Sequence, residues 1–310
     1  MGIINMIPLK NLEIEAPKIN LDLNVKKGDS LQLEFDDDNE LNIENYSNSD
    51  TNIIKFQNKK EDFFTNFLGS FISGKNIDCV LTIPPEVKSI SIKSTNGDVY
   101  MSDLNIDYLY TKLTTGDIEI KDCSIDVLEQ KIITGDLSIK NTKILDFISK
   151  VTTGDVSIKN SDLNRIEVSL ITGDIHLDSL SENFNKSTLK VITGDAELYI
   201  KGTDPVYLEK KLTPYSASLK TNIPTINGYG NNRNLEIKAT ASTVRLIGKK
   251  SNDTKINLGK NDTEIMSEEE KKIIDLLKQG KISREFALEL LIELGYDSNS
   301  GETFLKKRDI

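Results

Sequence analysis

The sequence predicts a mainly β protein: a parallel β-solenoid of about 19-residue coils, with a β-rich N-terminal part and a small C-terminal α-helical hairpin. Three observations predict it. The pairs Gly97-Asp98, Gly116-Asp117, Gly135-Asp136, Gly154-Asp155 and Gly173-Asp174 follow one another at a spacing of 19 residues, and Gly194-Asp195 follows after 21. A fixed period near 20 marks stacked structural repeats. After each pair the apolar residues alternate, as in Ile118 and Ile120, Leu137 and Ile139, Val156 and Ile158, Ile175 and Leu177, and a period of two means strand. Near the C terminus the pattern changes to that of amphipathic helices.

In chain order, residues 1–78 hold strand-like runs, "NLEIEA", "INLDLNV", "SLQLEF" and "LNIENY", divided by turn signals such as Lys27-Gly28-Asp29 and "DDDNE". They read as an antiparallel β entry domain or as the first irregular coils of the solenoid. Phe63, Phe64, Phe67 and Phe71, with Leu68 and Ile72, suit one face of a short helix. Its expected role is a cap over the open end of the stack, which would otherwise expose an apolar layer and a pairing edge; a partner or lipid contact is the alternative.

Residues 79–248 form the predicted repeat domain. In register, they give inward columns such as Ile106, Ile125, Ile144, Leu163, or Leu113, Ile132, Val151, Leu170, Val191. A coil of this length traces roughly 60 Å at about 3.3 Å per residue, enough for two or three short strands joined by corners. After Asp195 the repeat loosens into a long excursion before a final strand pair, "LEIKATASTVRLIG".

Residues 249–264 read as a linker, with one added strand expected at "KINL", and 298–310 as a tail. Between them, 265–297 form the predicted hairpin. Ser267 with Glu270 is a capping box, Ile273, Ile274 and Leu277 share a face, and Gly280 is the stop. Ser283 starts a second helix with Ala287, Leu290, Leu291 and Leu294 inward and Gly295 as its stop. Two such helices are too small to be stable alone, so Ile273, Ile274, Leu277, Leu290, Leu291 and Leu294 are expected to form an interaction face that docks on the solenoid, on another copy in self-association or on a protein partner.

Glycine at each corner supplies a backbone conformation that other residues resist, and aspartate can accept a hydrogen bond from a nearby turn N–H. These twelve residues therefore read as structural repeat corners. The rival is calcium, since aspartates stacked about 4.8 Å apart offer hard oxygen ligands. Lys93, Lys112, Lys131, Lys150 and Lys190 precede the aspartates by five residues, except Asp174, which has Ser169 there, and Lys121, Lys140 and Lys159 follow by four. These columns predict internal charge compensation of the aspartate ladder rather than a metal.

A formal net charge of −10 repels a nucleic-acid backbone. The first residues carry no basic region followed by a long apolar run, and no window reaches the roughly 18 apolar residues of a membrane span, so the expected location is the cytoplasm. Cys79 and Cys123 are too few for a zinc site or a redox pair and read as small buried residues; no cofactor is expected. His176, the only histidine, is outward by the alternation and has no identifiable partner. A carbohydrate-active β-helix enzyme would use a single pair of carboxylates; here the carboxylates repeat as a ladder and no tryptophan offers a sugar platform. A calcium-dependent adhesin would favour aspartate columns without lysine. The reading is a non-enzymatic scaffold or binding protein.

The steps "TTGD" and "ITGD", the earlier "STNGDV" and the closing "KATASTVRLIG" resemble the bacterial putative-adhesin β-strand-repeat family, a domain of unknown function common in Firmicutes, over roughly residues 10–248. At the closing corner Ser242-Thr243-Val244 replaces a Gly-Asp step. "EEEKKIIDLLKQGKISREFALELLIELGYD" resembles the SHOCT-like helical module attached to such proteins, including envelope-stress proteins related to daptomycin-sensing surface proteins. In many of those the module is N-terminal; here it is C-terminal. The resemblance implies an envelope-stress or surface-associated binding role and brings no catalytic residues with it.

Overall fold

The computed structural model describes residues 1–36, 41–58, 76–182, 184–202, 204–214 and 216–249, together with ten positions between 273 and 305. The chain divides into two compact units, Met1–Thr254 and Lys255–Ile310.

In the first unit, alternation makes strands and the repeat stacks them in parallel. Ile118 pairs with Leu137, Leu137 with Val156 and Val156 with Ile175; Leu109, Leu128, Phe147 and Ile166 form a second file. Every one of these side chains is buried in one continuous core. The strands Asn105–Thr115, Ser124–Thr134 and Lys143–Thr153 each bend where two successive residues escape burial, at Asp107-Tyr108, Asp126-Val127 and Leu145-Asp146. With the Gly-Asp step and one further turn, each coil rounds three corners.

That further turn is a second ladder. Asp103, Asp122, Asn141 and Asn160 all have positive φ, between 50° and 60°, the left-handed conformation that Asn and Asp tolerate best after Gly. The next residue points inward and ties neighbouring coils. Cys123 N–H donates to Thr142 Oγ1 at 3.3 Å, Thr142 N–H to Ser161 Oγ at 3.1 Å, and Leu104 N–H approaches Cys123 Sγ at 3.5 Å. Cys123 thus stands in a file otherwise served by hydroxyls.

At both ends the stack departs from chain order. The long strand Asn11–Lys27 lies between Thr51–Asn58 and Ser89–Asn96 along its first half and between Ile77–Ile83 and Val99–Ser102 along its second. Asn234–Ala241 lies between Ser187–Thr193 and Val206–Leu212, and Thr243–Lys249 between Ala196–Lys201 and Ser218–Thr221. The first and last coils of the sequence are therefore interior coils in space. Residues 11–27 are thus a coil of the same stack as the repeats. Among the described residues of this region, antiparallel pairing is confined to the strand pairs Gly2–Met6 with Leu31–Phe35, Leu31–Phe35 with Ile77–Ile83, and Leu41–Asn48 with Thr51–Asn58.

Arg233 fastens the C-terminal excursions. Its side chain is 2% exposed and its φ is 53°. Its Nη1 donates to the carbonyls of Lys201, at 3.0 Å, and Glu182, and the guanidinium lies 5.6 Å from the Phe184 ring centroid. Burial lowers its pKa, against the nearby carboxylates of Asp204 and Glu182. One core file is polar: Thr111, Gln130 and Ser149 are fully buried, and their side-chain polar atoms have no hydrogen-bond partner.

In the second unit the described residues Ile273, Ile274, Leu277, Lys278, Arg284, Ala287, Leu288, Leu291 and Leu305 are helical. Ile273, Ile274, Ala287, Leu291 and Leu305 form a separate buried cluster, with Leu277 and Leu288 packed against it. Ala287 N–H donates to Ser283 O at 3.0 Å, a helical first turn after Ser283. Leu305 corrects the reading of 298–310 as a tail: it completes this cluster at 0% exposure. Leu290, Leu294, the linker beyond Lys249 and the phenylalanine-rich segment lie outside the described residues.

Candidate functional site

The Gly-Asp steps form one continuous ladder. Gly97, Gly116, Gly135, Gly154, Gly173 and Gly194 have φ between 109° and 141°. A Cβ built on Gly135 would stand 2.0 Å from the carbonyl oxygen of Gly116, and one on Gly116 2.1 Å from that of Gly97. Backbone conformation and close approach thus both demand glycine. The glycines let the aspartates reach the neighbouring coil. Asp117 N–H donates to Asp98 Oδ1 at 2.8 Å, Asp136 N–H to Asp117 at 2.7 Å, Asp155 N–H to Asp136 at 2.7 Å, Asp174 N–H to Asp155 at 2.8 Å, and Asp195 N–H to Asp174 at 2.7 Å. Such carboxylate-to-amide bonds are short and stronger than neutral ones.

Both ends of the ladder lack glycine. Asp98 N–H donates to Asp22 Oδ1 at 3.0 Å, and Thr243 N–H to Asp195 Oδ1 at 2.9 Å. Leu21-Asp22 and Ser242-Thr243 therefore take the step's place in the first and last coils of the sequence.

The lysine columns do not serve this ladder, contrary to the sequence expectation. Lys93 pairs with Glu13 at 2.5 Å and Glu15 at 3.4 Å, Lys131 with Glu129 at 2.9 Å, and Lys140 with Glu119 at 3.3 Å. Among the described residues the cation on a ladder aspartate is Arg245, 3.6 Å from Asp195. The residues two positions apart on one strand share a face, so Glu129 meets Lys131, while Asp136 lies round the corner. Backbone N–H groups supply the compensation that the lysines were expected to give.

The lysine partners hold three carboxyls below the usual range: Lys131 acts on Glu129 and Lys238 on Glu236, while for Glu15 hydrogen bonds from Lys55 and Lys93 outweigh the opposing effect of burial. A depressed carboxyl stabilises the fold above its unfolded pKa, about 4.3 for Glu, and the contribution is lost as the pH falls through the folded value.

Other candidate chemistry is dispersed. Burial pushes the Cys79 thiol up to about 12 and the Cys123 thiol up to about 11, so neither is a thiolate at neutral pH. His176 does have a partner, which corrects the sequence reading: Nδ1 lies 3.6 Å from Glu197 Oε2, and the ring is 5.3 Å from that of Tyr199. Register explains it, since His176 and Glu197 stand opposite each other. A crevice of about 330 Å³ is lined in part by Lys190, Lys211, Lys238 and Thr213. Glu236 already lies 2.8 Å from Lys238 and 3.9 Å from Lys211, which neutralises much of its charge. Among the described residues no three His, Cys, Asp or Glu side chains are grouped to hold a metal ion, and no helix is long and apolar enough to cross a membrane.

Parallel coils tied corner to corner by side-chain ladders define a β-solenoid repeat protein. The chain belongs to the Toastrack DUF4097 family, whose model matches residues 9–257. No curated protein matches it. Among solved structures, a putative adhesin from Bacteroides fragilis is similar at 14% identity and TM-score 0.49, covering 79% of this chain and 95% of that one. A putative adhesin from Parabacteroides merdae is similar at 10% identity and TM-score 0.43, with 79% and 95% covered. A putative cell adhesion protein from Clostridium sporogenes is similar at 11% identity and TM-score 0.26, with 80% and 98% covered.

Proposed function

We propose that the protein is a non-enzymatic, adhesin-like scaffold that works at the cell envelope and binds partners through the flat outer faces of its coils, with the C-terminal helices as an assembly module. The observation that carries this reading is the use of the Gly-Asp carboxylates: one oxygen of each is committed to the backbone of the next coil, so the repeated chemistry of the sequence is spent on the fold. What is left to meet a partner is surface. The family is a domain of unknown function, and the resemblance of the repeat and of the helical module to envelope-stress proteins supports the location.

The assembly role falls to the two-helix hairpin read over 265–297, in which Ile273, Ile274 and Leu291 are buried, with Leu277 packed against them, in the unit's own cluster, so that a partner meets the outer surface of the module. Fractionation of native cells, followed by cross-linking and capture with the full chain and with a chain ending at Asn261, tests it. The expected result is recovery with envelope material, equal capture in EDTA and in calcium, and loss of the assembly partner from the shortened chain while its melt is unchanged. Turnover of a cell-wall polysaccharide, or capture that appears only with calcium, would favour the enzyme or the calcium-dependent adhesin instead.

A further inference from the structure

We propose that the edge strand Gly2–Met6 is a pairing surface for a second copy of this chain, joining two repeat stacks head to head about a twofold axis. Among the described residues Gly2–Met6 is hydrogen-bonded along one edge, to Leu31–Phe35, and its other edge has N–H and C=O groups without a partner there. The strand, "GIINM", contains neither a charge nor a proline, the two commonest guards of an open edge. Ile3, at 56% exposure, faces outward, and Ile4, Met6, Phe35 and Ile43 are only partly buried against the core.

The other open edges are guarded. Leu41–Asn48 carries Glu44 and is polar and exposed from there on. At the far end of the stack, Ser218–Thr221 is four residues long and carries Lys220, and Thr225–Asn227 is three residues long and follows Pro224. Lys210 stands opposite the buried Ile237 in the last inward file. Head-to-tail pairing would set the neutral strand on these guarded edges and would propagate into filaments. Pairing with itself closes after two copies.

The strand is self-complementary for this purpose. Antiparallel pairing centred on Ile4 sets Gly2 opposite Met6 and Ile3 opposite Asn5, with no like charges in contact. Ile4 of each copy then meets Ile4 of the other, Met6 of each covers the Gly2 opposite, and the apolar end layer of the stack is continued across the junction. A strand selected from another protein by charge would find nothing here to select it.

Light scattering after size exclusion, over a wide dilution series of the full chain, tests the proposal. The expected mass is twice the 34.7 kDa of one chain, falling to one chain on dilution. Ile3→Lys with Asn5→Lys should give the single-chain mass at all concentrations with an unchanged melt, because both side chains face outward. Mixing that variant with Ile3→Glu plus Asn5→Glu should restore the doubled mass as a heterodimer, whichever single variant folds less well. A single-chain mass for the unaltered protein at every concentration, a dimer indifferent to these charges, or open-ended assembly would each overturn it.

Discussion

Replacing Gly135 by alanine is expected to destabilise the first unit by about 3 kcal/mol or more, roughly 6–12 °C in melting temperature for a unit of this size. The methyl group would sit 2.0 Å from the Gly116 carbonyl oxygen, at a φ of 141° that alanine resists. The coil cannot yield, because the Asp136 N–H is held by Asp117 on one side and Asp136 Oδ1 holds Asp155 on the other. Gly228 is the control. It has a φ of 106° and nothing within 4 Å of a built Cβ, so Gly228→Ala should cost only the backbone strain, about 1 kcal/mol. Equal melts for the two variants would show that the corner is not closely packed.

A chain ending at Asn232 is expected to lose far more than an end coil when compared with one ending at Thr254. In a stack built in chain order, removing the last coil exposes one interface. Here Asn234–Ala241 and Thr243–Lys249 are interior, so their loss strips one of two partners from each of Ser187–Thr193 and Ala196–Lys201, which keep Asp162–Thr172 and Ile175–Leu180, and leaves Val206–Leu212 joined, among the described residues, to Thr225–Asn227 alone. The fully buried Leu189, Leu198, Ile200 and Val206 each lose burial worth about 1.5–3 kcal/mol. Limited proteolysis should clear everything from about residue 187 onward and leave the coils before it intact. A shortened chain that resists proteolysis through residue 227 would contradict the threaded order.

The Gly-Asp ladder is legible in the sequence because a glycine followed by an aspartate at a fixed period joins a special backbone turn to a repeated acceptor, and a stacked corner needs both. Its ends are not legible, since Leu21-Asp22 and Ser242-Thr243 carry no glycine, and only the pairing of strands reveals that they occupy the same place. The second ladder leaves a usable sign. Asp103, Asp122, Asn141 and Asn160 recur at 19 residues, but without glycine the column does not announce a left-handed turn. The lysine columns are plain in the sequence, while their true partners are not. Spacing along the chain fixes which residues form a file, whereas the direction of each file depends on which side of a corner it lies. The polar file of Thr111, Gln130 and Ser149 is marked by alternation and hidden by chemistry, because polar residues count against an inward assignment. The threaded order at the two ends has no sequence sign, since an interior and a terminal coil have the same alternation.

Amide hydrogen exchange at Asp155 tests most directly whether the Gly-Asp carboxylates hold the backbone together. Asp136 Oδ1 accepts the Asp155 N–H at 2.7 Å at an exposed corner, where an amide without that partner would exchange freely. The account predicts slow exchange at Asp155 in the unaltered protein, fast exchange in Asp136→Ala, and slow exchange again in Asp136→Asn, which keeps an acceptor oxygen. Calcium should leave all three unchanged. Free exchange at Asp155 in the unaltered protein, or protection that appears only when calcium is added, would contradict the account and return the aspartate ladder to the role of a metal site.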